Sequence, residues 1–273
     1  MARIAVEPGV ELECEVDDFL WPWEQAVPVF MVPGFVRTAR FWDRWVPTIA
    51  DRRRIYRVEM RGYGRSDLPT RNYRFEPASI FADLLTVMDV MGLEKVNWVG
   101  ESSSGVLGLA FAASYPDRVA SLVLCDSPYK IPDSIKPTYA LDQPSSPDAI
   151  RSHGLAAWCR RTLHLRLDLD HASPQLQQWY TKALSGTPAW VAAEYNACFE
   201  AADVTPFLAA VRAPVLLLSG AKSKIAWEQQ EKLKRDLPDA RLHQFEGYGH
   251  GVNVLLPREC AAQAVTFWDQ IGA

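Results

Sequence analysis

The chain has 273 residues, 48% of them hydrophobic and 23% charged, an ordinary globular composition with length enough to bury a large core. A formal net charge of −4 without a basic tract gives nucleic acid no electrostatic footing, and no uninterrupted apolar run is long enough to span a membrane. Five cysteines, Cys14, Cys125, Cys159, Cys198 and Cys260, are widely spaced, odd in number and never in a C-x-x-C pair, so neither a disulfide framework nor a metal site is expected.

The amino-terminal segment has no apolar core behind a basic start, and a cytoplasmic monomer or homodimer acting on a small molecule is expected. Residues 2–16 read as two strands joined at Pro8-Gly9, an antiparallel hairpin with alternating Val10, Leu12, Cys14 and Val16. The tryptophan-rich Phe19 to Trp23 reads as a loop or edge. Val27 to Val32 is a continuous apolar run that stops at Pro33-Gly34-Phe35, the pattern of a strand buried on both faces followed by a tight turn. A helix is predicted over Ala39 to Ala50 from the spacing of Phe41, Trp45 and Ile49, then a strand over Arg54 to Met60 and a glycine-punctuated turn through Arg61 to Asp67. Pro77 to Met91 carries Ile80, Leu84, Val87 and Met91 three and four apart, an amphipathic helix closed by Gly92.

Asn97 to Val99 is a short strand that breaks at Gly100-Glu101-Ser102-Ser103-Ser104-Gly105 and continues as a small-residue helix, before a second strand at Ser121 to Cys125. A serine at such a strand–turn–helix bend reads as a nucleophile elbow, in which small neighbours let the two backbones approach closely. The pattern G-x-S-x-G is met loosely, because Ser104 stands where the second glycine would be. Ser102 and Ser103 both compete for the role; Ser102 alone has a glycine two residues before it.

After Asp126, prolines at 128, 132, 137, 144 and 147 mark an extended connection, and residues 148–202 read as helices broken at Ser173-Pro174 and Gly186-Thr187-Pro188. Strand character returns at Pro214 to Leu218, followed by a helix over Ile225 to Leu237, a strand over Arg241 to Phe245, the loop Glu246 to Gly251 and a closing helix over Pro257 to Ile271. The alternation predicts an α/β chain with a parallel sheet and right-handed crossovers, divided as a first core part (1–127), an inserted helical lid (128–202) and a second core part (203–273).

A serine hydroxyl is a poor nucleophile at neutral pH, so an elbow serine calls for a histidine to take its proton and an acid to hold that histidine. His153, His164 and His171 lie in the lid and His243 within a strand pattern. His250 lies in a glycine-flanked loop, Gly247 to Gly251, from which an imidazole can be aimed back over the sheet. Together, Pro33-Gly34-Phe35, the R-G-x-G-x-S-D run Arg61 to Asp67, the elbow at Ser102 and the G-Y-G-H loop, in this order, resemble the α/β-hydrolase superfamily over essentially the whole chain. The resemblance implies a mostly parallel sheet of about eight strands flanked by helices, a lid after the sixth strand, the order serine, acid, histidine, and no cofactor or metal.

Three positions depart from the family pattern: Pro33 stands for the usual histidine, Glu59 for the usual aspartate, and the loop Ser219 to Lys224 after the seventh strand lacks the usual acid, with Ser223 in its place. Asp126, at the tip of the sixth strand, is then the expected acid, ahead of Glu101, Glu228 and Glu246. An acid moved to that strand, a Val-Pro lead into the early loop and Ser-Ser at the elbow are similar to the fungal zearalenone-lactone hydrolases, which keep a glutamate there. The implied reaction is acyl transfer through Ser102, His250 and Asp126, with the Phe35 and Ser103 amides as oxyanion hole and Gly34, Phe35 and Trp190 as substrate contacts. A hydrophobic ester or lactone is the expected substrate, with a zearalenone-like macrocycle as one form. A carbon–carbon hydrolase, a hydroxynitrile-type lyase on the same triad and a small-molecule receptor of the same fold are the competing readings.

Overall fold

The structure, a computed structural model, describes residues 1–223 and 227–273. Eight strands, β1 (Ala2–Glu7), β2 (Val10–Asp17), β3 (Val29–Val32), β4 (Ile55–Val58), β5 (Val96–Glu101), β6 (Val119–Cys125), β7 (Val215–Gly220) and β8 (Ala240–Phe245), form one sheet in the order β1-β2-β4-β3-β5-β6-β7-β8. β1 and β2 pair antiparallel across the Gly9 turn, β2 pairs antiparallel with β4, and every later neighbour is parallel. The expected hairpin and mostly parallel sheet of an α/β-hydrolase fold are therefore present.

The parallel strands read as unbroken apolar runs because both faces are covered. Strand alternation sends Phe30, Val32, Trp98, Leu122, Leu124 and Leu217 to one face, and Val29, Met31, Val99, Val123, Leu216 and Leu218 to the other. The elements around the sheet begin with α1 (Val46–Ile49), α2 (Pro77–Val90) and α3 (Ser103–Ser114). On the first face α2 buries Ile80, Phe81, Leu84, Val87 and Met88, and α3 adds Leu109, Phe111 and Ala112. Each such large side chain contributes about 2 kcal/mol on burial.

Between β6 and β7 the chain runs through α4 (Lys136–Ala140), α5 (Ser146–His153), α6 (Leu155–Arg161), α7 (Pro174–Leu184) and α8 (Ala189–Ala201). The Ser145 and Ser173 hydroxyls cap α5 and α7 by accepting from the amides of Asp148 and Leu176. The second half of the core supplies α9 (Trp227–Asp236), α10 (Val252–Leu255) and α11 (Pro257–Ile271), the last packing Cys260, Ala261, Ala264, Phe267 and Trp268 against the second face of the sheet.

Two local expectations change, and a third lies in part outside the described residues. Ala39 to Ala50 is not one helix but a 3-10 turn, Ala39–Trp42, followed by α1: Pro47 donates no amide hydrogen and is accommodated only in a first helical turn. The proline-rich connection after Asp126 contains α4, with Pro137 in its first turn, and leads into the start of α5, with Pro147 in its first turn. In the expected helix Ile225 to Leu237, Ile225 and Ala226 lie outside the described residues, as does Lys224 of the preceding loop. Among the described residues no helix is long and apolar enough to cross a membrane.

Candidate active site

β5 and α3 meet at Ser102, whose φ of 53° and ψ of −118° place it in a region that non-glycine residues rarely occupy. Such a bend requires the strand and helix to come close. A Cβ on Gly105 would stand 2.0 Å from the Ser127 hydroxyl, which explains the glycine found one position late. Ser104 takes the place of the usual second glycine by turning its hydroxyl inward, accepting from the Glu101 amide at 2.7 Å and donating to the Glu101 carbonyl at 3.0 Å. Of the three consecutive serines, Ser104 is thus consumed by the turn, Ser103 is the first residue of α3, and Ser102 is the bend itself, on the wall of a cavity.

His250 is buried, 4% exposed, in the loop between β8 and α10, where Gly251 adopts φ 98°. Its Nδ1 lies 3.3 Å from the Ser223 hydroxyl. Its Nε2 has no hydrogen-bond partner among the described residues and lies 3.8 Å from Oε1 of Glu101, the residue immediately before Ser102. The ring is therefore carried to the elbow, with one nitrogen held by a hydroxyl and the other facing the bend.

Asp126 stands at the tip of β6 with φ 45°, fully buried, but its carboxylate is not hydrogen-bonded to the His250 ring. Oδ1 accepts from the Ser219 hydroxyl and the Gly220 amide, each at 3.1 Å, and Oδ2 accepts from the amides of Gly251 and Val252 at 2.8 and 3.0 Å. Where direct support of the imidazole by Asp126 was expected, the carboxylate instead holds the two residues that follow His250. A carboxylate with two acceptor oxygens binds four converging donors well, and backbone amides are nearer to it than the ring.

Beneath the early loop lies a buried ion pair. Arg37 Nη1 is 2.8 Å from Glu101 Oε2, both side chains almost wholly enclosed, and Tyr180 of α7 accepts from Arg37 Nη2. Burial works against the Arg37 charge, yet the Glu101 carboxylate holds the guanidinium above its ordinary pKa. Gly34 is explained by this pair: a Cβ there would lie 2.2 Å from Glu101 Oε2 and 2.7 Å from Arg37 Nη1. Gly34 therefore makes room for the ion pair, and is not among the residues of the cavity wall.

The cavity beside Ser102 has a volume of about 50 Å³ and is walled by Phe35, Ser103, Tyr139, Trp158 and Phe199 together with Arg37 and Arg166. The Phe35 ring meets Trp158 and Phe199 edge-on, at 5.7 and 6.3 Å. Phe35 and Ser103, expected as oxyanion donors, thus flank Ser102, and the Ser103 amide belongs to the helical first turn, whose N–H groups lack intrahelical acceptors. Trp190 is not brought to the site: it is 47% exposed at the start of α8, with Phe75 as its aromatic neighbour. The helix start was legible at Pro188, but not which way its first turn faces. Arg37 and Arg166 went unnoticed in the sequence; the available signal was a charge set among apolar residues, in Phe35-Val36-Arg37 and Leu165-Arg166-Leu167. Among the described residues no group of three His, Cys, Asp or Glu side chains is arranged to hold a metal ion.

A strained serine at a strand–helix bend, a histidine loop after the last strand and a helical insertion over a mostly parallel eight-stranded sheet define an α/β architecture built around an elbow. The family model described as alpha/beta hydrolase fold matches residues 27–255, and the chain belongs to that family. A 2-hydroxy-6-oxo-2,4-heptadienoate hydrolase of Pseudomonas putida is 26% identical over 239 residues, covering 83% of each chain. An abhydrolase domain-containing protein, abhd-5.2, of Caenorhabditis elegans is 24% identical over 82% of this chain, which spans only 55% of that protein. Among solved structures, the enol-lactonase of Burkholderia xenovorans superposes with a TM-score of 0.85 at 21% identity, over 97% of this chain and 99% of the other, a likeness of fold.

Proposed function

We propose that the protein is a serine hydrolase of a hydrophobic carboxylic ester or lactone, working through an acyl-enzyme on Ser102. The observation that carries this reading is the placement, at the strained elbow, of a His250 Nε2 that has no hydrogen-bond partner among the described residues, Ser102 included. Nδ1 lies beside the Ser223 hydroxyl, so in the tautomer that donates from Nδ1 to that oxygen the Nε2 lone pair would take the proton of Ser102 as its oxygen attacks the carbonyl. The Phe35 and Ser103 amides would receive the developing oxyanion, a kind of contact whose loss costs about 3 kcal/mol in the transition state. The imidazolium gives that proton to the departing alcohol oxygen as the acyl-enzyme forms; water, deprotonated by the regenerated imidazole, then attacks the acyl-enzyme, and the proton returns to Ser102 as the acid leaves. Asp126 serves as a positioning residue, holding the His250 loop through the Gly251 and Val252 amides.

The helical insertion acts as the lid, and its aromatic side of the cavity supports an apolar substrate. The name of the structural neighbour, an enol-lactonase, supports a lactone. A zearalenone-like macrocycle is the finer form of this proposal, favoured by the acidic residue at the tip of β6. It requires the lid to open, since a cavity of about 50 Å³ is far below the roughly 300 Å³ of small-molecule sites. Turnover of 4-nitrophenyl butyrate tests the reading: Ser102→Ala is expected to lower kcat at least ~10⁴-fold with folding unchanged. A variant that keeps wild-type turnover refutes it.

A further inference from the structure

Five arginines are buried among the described residues, and four of them are paired with carboxylates: Arg37 with Glu101, Arg53 with Asp269, Arg57 with Glu15, Asp17 and Asp43, and Arg61 with Glu7 and Asp83. The fifth, Arg166, is 4% exposed and has no carboxylate within ion-pair distance among those residues. Its Nη2 donates to the Cys159 carbonyl and the Thr162 hydroxyl, each at 3.0 Å, its guanidinium lies 4.7 Å from the centre of the Trp158 ring, and its Nε has no partner. A buried charge facing only neutral acceptors is costly, and the cost falls when an anion occupies the site.

Arg166 lies on the wall of the cavity that contains Ser102. Arg37 on that wall is already neutralised by Glu101, and Glu200, the carboxylate on the wall, makes no ion pair with Arg166. We propose that Arg166 binds a carboxylate of the substrate, so that the substrate is an ester or lactone carrying a carboxylate a few atoms from the bond that is cleaved, which sets aside the uncharged zearalenone-like macrocycle. Cys159 and Thr162 occupy Nη2, so Nε and Nη1 are the donors left for a charge-assisted bond to a carboxylate, and the guanidinium lies over the Trp158 ring of the same wall. The aromatic wall then encloses the apolar part of the same molecule. The inference builds on the acyl-transfer reading but is testable apart from it.

Calorimetric titration with succinate, glutarate and adipate reads the anion site without turnover. Wild type is expected to bind at least one of them, Arg166→Gln at least tenfold more weakly, and Arg166→Lys in between; absence of binding to wild type, or equal binding by Arg166→Gln, overturns the proposal. Kinetics on a near-isosteric pair, 4-nitrophenyl hydrogen glutarate and 4-nitrophenyl valerate, separates recognition from scaffolding. Wild type should prefer the anionic ester in kcat/KM, and Arg166→Gln should lose at least tenfold more on that ester than on the neutral one, chiefly in KM. Equal losses on both would make Arg166 a structural clamp and end the proposal. If neither ester turns over while dicarboxylate binding still depends on Arg166, the acyl-transfer reading fails and the anion site stands.

Discussion

Asp126 gathers four hydrogen bonds on two oxygens, and two of them hold the backbone directly after His250. A substitution there reaches the imidazole through the main chain. Asp126→Asn replaces one acceptor oxygen by a donor facing an amide or a hydroxyl, so buried groups lose partners, each at about 1–3 kcal/mol. The expected outcome is a lower urea midpoint together with a fall in kcat of about 100-fold or more, since a small displacement of a base is costly. Adding Ser223→Asp puts a carboxylate opposite Nδ1 and should recover at least tenfold of kcat without restoring the urea midpoint. Recovery of neither would place the effect of Asp126 outside the support of His250. At the same scale, Ser104 and Gly105 show why the elbow departs from its usual spelling: the serine hydroxyl fills the space that the glycine leaves empty elsewhere, and the glycine is displaced to where Ser127 presses on the helix.

Among the elements, the strap that follows α6 clamps the histidine loop. The Asp168 amide donates to the His250 carbonyl at 2.8 Å, and the Asp168 carboxylate accepts from the Gly249 amide at 2.7 Å and pairs with His171 Nδ1 at 2.8 Å. Burial pushes the Asp168 carboxyl up, but the Gly249 amide, His171 and the Asp170 amide outweigh it and hold the group below its ordinary value. A carboxyl depressed on folding contributes stability above its unfolded pKa, roughly 3.9, and that contribution disappears as pH falls through the lower folded value. Wild type should therefore lose more stability than Asp168→Asn between pH 6 and pH 3 in urea titrations. Parallel pH profiles for the two proteins would show that the carboxylate does not stabilise the clamp. Because Arg166 is two residues away on the same strap, a ligand gripping its guanidinium also bears on the loop that carries His250.

At the scale of the whole molecule, the Arg37–Glu101–Tyr180 cluster ties together the early loop, the elbow and the helical insertion, three stretches far apart in the chain. Removing one partner of a buried pair leaves the other charge uncompensated, at about 3–5 kcal/mol. Arg37→Met is expected to lower stability by that order, and Arg37→Met with Glu101→Gln by clearly less, as judged from denaturant midpoints. Equal destabilisation by the single and double variants would mean that the pair is not coupled. The cysteines act as packing groups instead of links: all five are free, four of them are buried and Cys198 is half-buried, and burial pushes the Cys14 thiol up to about 12.

The local pattern of the chain sufficed for the opening hairpin, the apolar parallel strands, the helix at Pro77 and the strained bend at Ser102, because period, glycine placement and apolar continuity report what a residue's immediate neighbours must be. It also located His250, since a glycine-flanked histidine after the last strand has few alternatives. What the chain alone left open was which acceptor each buried donor meets. Ser223 lies by the imidazole, Asp126 binds backbone, Arg166 meets no carboxylate among the described residues and Trp190 faces outward, and none of these is encoded in spacing along the sequence. They are settled by which strand tips and loops the sheet order brings side by side, and buried hydrogen bonds and charges are satisfied only across such long-range contacts.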